Sequence, residues 1–74
     1  MFRKVIKEEC KVPADVKYLG EMRNFVTHVG RKYGVPERIL NSFKLAIDEG
    51  GTNIIRHAYR DWDGFVTLRM VIRN

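Results

Sequence analysis

The stretch FKLAIDEGGTNIIRHAY, residues 43 to 59, sets apolar side chains at helical spacing and carries two adjacent glycines, Gly50 and Gly51, in its interior. With the residues from Pro36 onward it predicts one long helix over 36–59. Two interior glycines weaken such a helix by roughly 1 kcal/mol each relative to alanine. A helix of this kind has to bury its apolar stripe, so both the stripe and the weak point constrain the fold. On a wheel of 100° per residue, Ile39, Phe43, Ala46, Ile47, Gly50, Ile54 and His57 share one broad stripe, expected to pack on a sheet. Leu45 and Ile55 form a narrower stripe, expected to meet another helix, and Asp48 lies opposite, expected in solvent. Glu49 and Asn53 fall together at the stripe's edge, a carboxylate and an amide one turn apart on a rim that is expected to be partly buried. Gly50 on the stripe would let the helix approach a sheet closely, and Gly51 removes a side chain near the rim.

The flanking sequence supplies the sheet. In FRKVIKEECKV, Phe2, Ile6, Cys10 and Val12 share one parity with charges mostly between them, which predicts a half-buried strand ended by Pro13. Asp15 is placed to cap a helix carrying Val16, Leu19, Met22, Val26, Val29 and Tyr33 at three- and four-residue spacing. Gly34 is its stop, and Pro36 with Glu37 opens the next helix. RDWDG reads as a polar turn and FVTLRMVIR as a strand rich in β-branched residues. The order strand, helix, helix, strand predicts an α+β, two-layer α/β sandwich. Its last strand has no following turn or partner strand in the sequence, so the chain is expected to be part of a larger domain.

Seventy-four residues suffice for one domain with a small core. Cys10 stands alone and no Cys/His spacing suits zinc, so neither a disulfide nor a structural metal is expected. A lone thiol suits a reducing, cytoplasmic compartment. No apolar run approaches the roughly 18 residues of a membrane span, and MFRKVIKEEC lacks a signal-peptide core. The net charge of +5 would suit nucleic acid, but the cations are scattered among acids and no basic run exceeds two, as at Arg3-Lys4 and Arg31-Lys32. No direct nucleic-acid contact and no membrane association are expected.

LAIDEGGTNIIRHAY resembles the N-box of the histidine-kinase-like (GHKL) ATPase superfamily, in particular that of the bacterial anti-sigma-factor serine/threonine kinases. That family carries Glu-x-x-x-Asn on a helix, commonly as Glu-Ala-x-Thr-Asn, followed by His and a small-aromatic pair. Glu49, Thr52, Asn53, His57, Ala58 and Tyr59 stand at those positions. The likeness extends through KVPA, the helix with Arg23, and YGVPERI, so it covers essentially the whole chain. It implies the N-terminal half of a Bergerat-type ATP-binding fold over residues 1–74. It also implies an ATP-dependent protein kinase whose partners are an antagonist protein and a sigma factor. By resemblance Asn53 would be the protein ligand of Mg²⁺ on ATP, and Glu49 would orient or deprotonate the attacking hydroxyl of a partner serine. Arg23 belongs to the region that grips protein partners. Thr52 and Ile54 would support the helix, and His57, on the apolar stripe, is expected as a buried histidine rather than a catalytic one. The sequence departs from the family in two ways. Gly50 replaces the commoner alanine, and the adenine-reading Asp-x-Gly-x-Gly motif, the lid and the second glycine-rich motif are absent from the 74 residues. Asp63-Gly64 belongs to a turn and does not supply that motif. The expectation is a chain without competent ATP binding, self-associating as a homodimer to complete its sheet. The competing readings are a non-catalytic interaction module of the same fold and a small basic nucleic-acid binder.

Overall fold

The computed structural model of the chain describes residues 5–53 and 64–73. Strand β1 (Val5–Pro13) pairs antiparallel with β2 (Phe65–Arg73), in register from Val5 opposite Arg73 to Pro13 opposite Phe65. Alternation along each strand separates two faces. Ile6, Cys10, Val12, Val66, Leu68, Met70 and Ile72 turn inward, joined by Glu8 opposite Met70. Lys7, Glu9, Lys11, Thr67 and Arg69 turn outward, where Arg69 and Glu9 form a cross-strand ion pair at 2.7 Å. The backbone N–H of Ala14 donates to the carbonyl of Gly64 at 2.8 Å and closes the strand ends just beyond Pro13.

Asp15 caps as expected, though it caps a short 3-10 turn, Val16–Tyr18: the Lys17 backbone N–H donates to its Oδ1 at 3.0 Å. Helix α1 (Leu19–Lys32) follows and buries Leu19, Met22, Val26 and Val29, the predicted stripe, against the sheet's Val12 and Met70. Val16, placed on that stripe by the sequence, is 47% exposed because it precedes the α-helix. The helix stops at Gly34, which takes the left-handed φ of +79° that glycine adopts without strain. The Val35 N–H then donates to the Gly30 carbonyl at 2.8 Å, satisfying one of the last open acceptors. Pro36 sits just before helix α2 (Glu37–Ala46) rather than within it. Across this turn the Arg31 guanidinium donates to both carboxylate oxygens of Glu37, at 3.1 and 2.7 Å. That hydrogen bonding holds the Glu37 carboxyl below its ordinary value.

The element order is the predicted one, but the packing of α2 differs. Helix α2 lies chiefly on α1, through Leu40, which is 1% exposed and rests on Gly30. Among the described residues of the stripe expected on the sheet, only Ile47 is buried; Phe43 is 45% exposed. Ile39, Phe43, Ala46 and Gly50 instead line an open apolar groove of about 700 Å³, whose other wall is formed largely by β2. Leu45, expected to face α1, is 59% exposed. The sheet has two strands, in the order β1-β2, among the described residues, so no third strand reaches beneath α2 there. A broad apolar stripe fixes which residues avoid water, and it leaves open which of its two edges meets the first neighbour. No described helix is long and apolar enough to cross a membrane.

Gly30 is the contact on which the α1–α2 crossing depends. A Cβ there would stand 2.2 Å from Cδ2 of Leu40. Gly30→Ala is expected to destabilise the chain by about 1–3 kcal/mol, as overpacking does. Gly50→Ala meets nothing within 4 Å and is expected to leave stability unchanged or raise it by about 0.4–1 kcal/mol. Denaturant unfolding of the two variants side by side measures both effects.

Candidate functional site

Helix α2 runs directly into a π-helical turn, Ile47–Gly51, and Thr52 and Asn53 continue in helical geometry. Single π turns inside α-helices often mark functional sites. Glycines at 50 and 51 reduce the local preference for regular α-helix, which makes the wider turn accessible. A wheel drawn at constant phase fails across such a turn, because one extra residue rotates every later position by about 100°.

The turn has an inner and an outer side. Inside, Ile47 is 8% exposed and Gly51 is buried against the start of α1. A Cβ on Gly51 would lie 2.8 Å from Cδ2 of Leu19. Gly51 is therefore the close-approach glycine, and it approaches a helix. Gly50, expected to face a sheet, is exposed with open space around it. Outside, Asp48 and Glu49 are exposed, and Asn53 is exposed beyond the half-buried Thr52. The rim was expected to be partly buried; both of its functional candidates stand in solvent, on one short segment anchored by its inner side. Ile54, Ile55, His57, Ala58 and Tyr59 lie outside the described residues, as do Phe2 and the turn at 60–63.

Arg23, on α1, is not a freely solvated cation. Its Nη1 donates to Oδ1 of Asp48 at 2.5 Å, tying α1 to the π turn. Sequence reasoning treated Asp48 as solvent-facing and missed this pair, whose members are 25 residues apart. The other described ion pairs engage Arg31 with Glu37 and Arg69 with Glu9.

Burial pushes the half-buried Cys10 thiol up, and the neighbouring charge of Glu21 adds to the effect, so the nucleophilic thiolate is disfavoured. Among the described residues no three His, Cys, Asp or Glu side chains converge as a metal site. A single side-chain amide oxygen, as at Asn53, suits a hard cation that keeps most of its waters and takes other ligands from phosphate. Magnesium is bound in that way.

Residues 12–74 match the family model described as histidine kinase-like ATPase domain, and the chain belongs to that family. It is similar to the serine-protein kinase RsbW of Bacillus mycoides (strain KBAB4), at 34% identity over 68 residues, 92% of this chain and 42% of that protein. The proteins of the same name from Bacillus cereus (strain B4264) and Bacillus thuringiensis (strain Al Hakam) are 32% and 31% identical over the same coverage. The chain thus spans about 42% of the length of these relatives.

The contact between Gly51 and Leu19 makes a prediction. Gly51→Ala should destabilise the chain by about 1–3 kcal/mol. In a Leu19→Ala background, with the obstructing methyl gone, the same change should cost clearly less. A double-mutant cycle by thermal unfolding reads the coupling; strictly additive effects would show that the two residues do not meet.

Proposed function

We propose that residues 1–74 are the N-terminal part of an anti-sigma-type protein kinase domain. In that reading the complete domain transfers the γ-phosphoryl group of ATP to a serine or threonine of a small antagonist protein, and it also binds a sigma factor. One observation carries the proposal: a carboxylate, Glu49, and an amide, Asn53, stand exposed on one anchored segment of a histidine kinase-like ATPase chain. The names of the similar Bacillus proteins, serine-protein kinases, support it.

Phosphoryl transfer needs mainly positioning and neutralisation of phosphate charge. Asn53 would hold Mg²⁺ through its side-chain oxygen, and the ion would supply neutralisation of phosphate charge. Glu49, one helical turn earlier and in solvent, takes the proton of the incoming hydroxyl as its oxygen bonds to the γ-phosphorus and the bond to the β,γ-bridging oxygen breaks, ADP leaving with that electron pair. Arg23, on the neighbouring helix, belongs to the side on which a protein substrate would dock. The lone, half-buried thiol fits a cytoplasmic setting.

The 74 residues by themselves are expected to bind Mg-ATP poorly, since Asn53 holds a metal only where phosphates are already anchored. Calorimetry that finds micromolar binding would refute this. In a domain that joins residues 1–74 to the adenine and lid motifs, Asn53→Ala should weaken Mg-nucleotide binding about tenfold or more, the scale for losing a charge-assisted contact. Glu49→Ala should leave binding intact and lower transfer by about 10²–10⁴, the usual worth of a general base. Parent-like binding and transfer in both variants would overturn the assignment.

Homodimerisation is part of the proposal. A two-stranded sheet beside an open apolar groove invites a second copy to pair with it or to exchange strands. Light scattering after size exclusion should show a mass above 8.7 kDa that rises with concentration. A monomer at all concentrations would contradict it.

A further inference from the structure

The ion pair between Arg23 and Asp48 adjoins the proposed catalytic carboxylate, yet phosphoryl transfer by Glu49 and Asn53 alone makes no use of it. Asp48 immediately precedes Glu49 in the π turn, and its Oδ1 accepts from Nη1 of Arg23. The guanidinium lies back along α1 over Gly20, where a Cβ would stand 3.4 Å from Nη2. On the same helix, the Thr27 hydroxyl donates to the Arg23 carbonyl at 3.0 Å. The arginine head is therefore bounded by the first turn of α1 on one side and by Asp48 on the other.

The π turn is fastened to α1 twice. Gly51 meets Leu19 on the inner side, and Asp48 meets Arg23 on the outer side. Glu49 and Gly50 are the two residues between these fastenings. Gly50 has no side chain and open space around it, so neither packing nor propensity restrains it. The direction in which Glu49 projects is then set by the fastenings at its flanks.

We propose that Asp48 is a positioning residue for Glu49, acting through its ion pair with Arg23. Arg23 consequently contributes to the rate of transfer through this pair, apart from any contact it makes with a protein substrate. The inference rests on the reading of Glu49 as the proton acceptor. Asp48 fixes where that acceptor stands and touches no substrate itself.

The test compares Asp48→Asn, Arg23→Gln, their combination and the charge swap Arg23→Asp/Asp48→Arg, with Glu49→Gln as reference, in the domain that joins residues 1–74 to the remaining ATP-site motifs. Each single variant should lower kcat by about tenfold, within the range that misplacing a catalytic group produces. Nucleotide affinity should stay unchanged, and the combined variant should be no worse than either alone. The swap should recover most of kcat, while the KM for the protein substrate reports separately on any contact made by Arg23. In the 74-residue chain, amide exchange at residues 48–51 should quicken about two- to fivefold in each single variant, the scale of one exposed ion pair. The swap should restore it. If Glu49→Gln abolishes transfer while Asp48→Asn leaves kcat intact, or if the swap recovers nothing, this inference fails alone. Transfer that survives Glu49→Gln overturns the reading of Glu49 and this inference with it.

Discussion

The close approach of two glycines to two leucines near the two ends of α1 is the constraint on which the rest of the structure depends. Gly30 of α1 receives Leu40 of α2, and Gly51 of the π turn receives Leu19 of α1. Each contact removes a Cβ where a methyl and a backbone must meet. Together they bring α2 and its continuation onto one face of α1 at two places. The adjoining face of α1, with Met22, Val26 and Val29, covers the inner side of the sheet. Helix α1 therefore packs on both α2 and the sheet, and the π turn is positioned by it rather than by the strands.

This arrangement divides the second helix between two surroundings. A regular α-helix through residues 47–53 would hold one phase, and its apolar stripe could face either α1 or the region beside β2. Leu40, Ile47 and Gly51 share one sector of the helix and meet α1, while Ile39, Phe43, Ala46 and Gly50 share the next sector and border the groove. The π turn presents Asp48 and Glu49 outward. A segment that is locally weak and anchored on one side is a reasonable place for groups that must be exposed yet positioned.

Much of the fold was legible in the sequence. FVTLRMVIR is the strand that its β-branched residues predicted, the stripe of α1 is buried from Leu19 to Val29, and Gly34 is the stop. These features are set by local period and local backbone preference. The face of α2 was misread, because Ile39, Phe43 and Ala46 are as apolar as a core requires and no pattern shows what lies opposite them. The roles of the glycines were exchanged for the same reason: Leu40, Ile47 and Gly51 share one edge of the wheel, and no pattern shows that this edge, rather than the middle of the stripe with Gly50, meets α1. Glu49 and Asn53 could be picked out by their spacing, and the family resemblance gave them meaning. Asp48 could not, since its partner stands 25 residues away on another helix and no periodicity links them. Its one visible sign was an acidic residue next to the N-box carboxylate.

The central claim is that the glycine pair docks the site-bearing turn on α1. Nuclear Overhauser spectroscopy of the 74-residue chain tests it most directly. Strong contacts are expected between the Leu19 methyl protons and the α protons of Gly51, none from Leu19 to Gly50, and hydrogen-bond couplings of i to i+5 type within residues 46–52. An unbroken i to i+4 ladder through that segment, with Gly50 against the sheet and Gly51 in solvent, would contradict it.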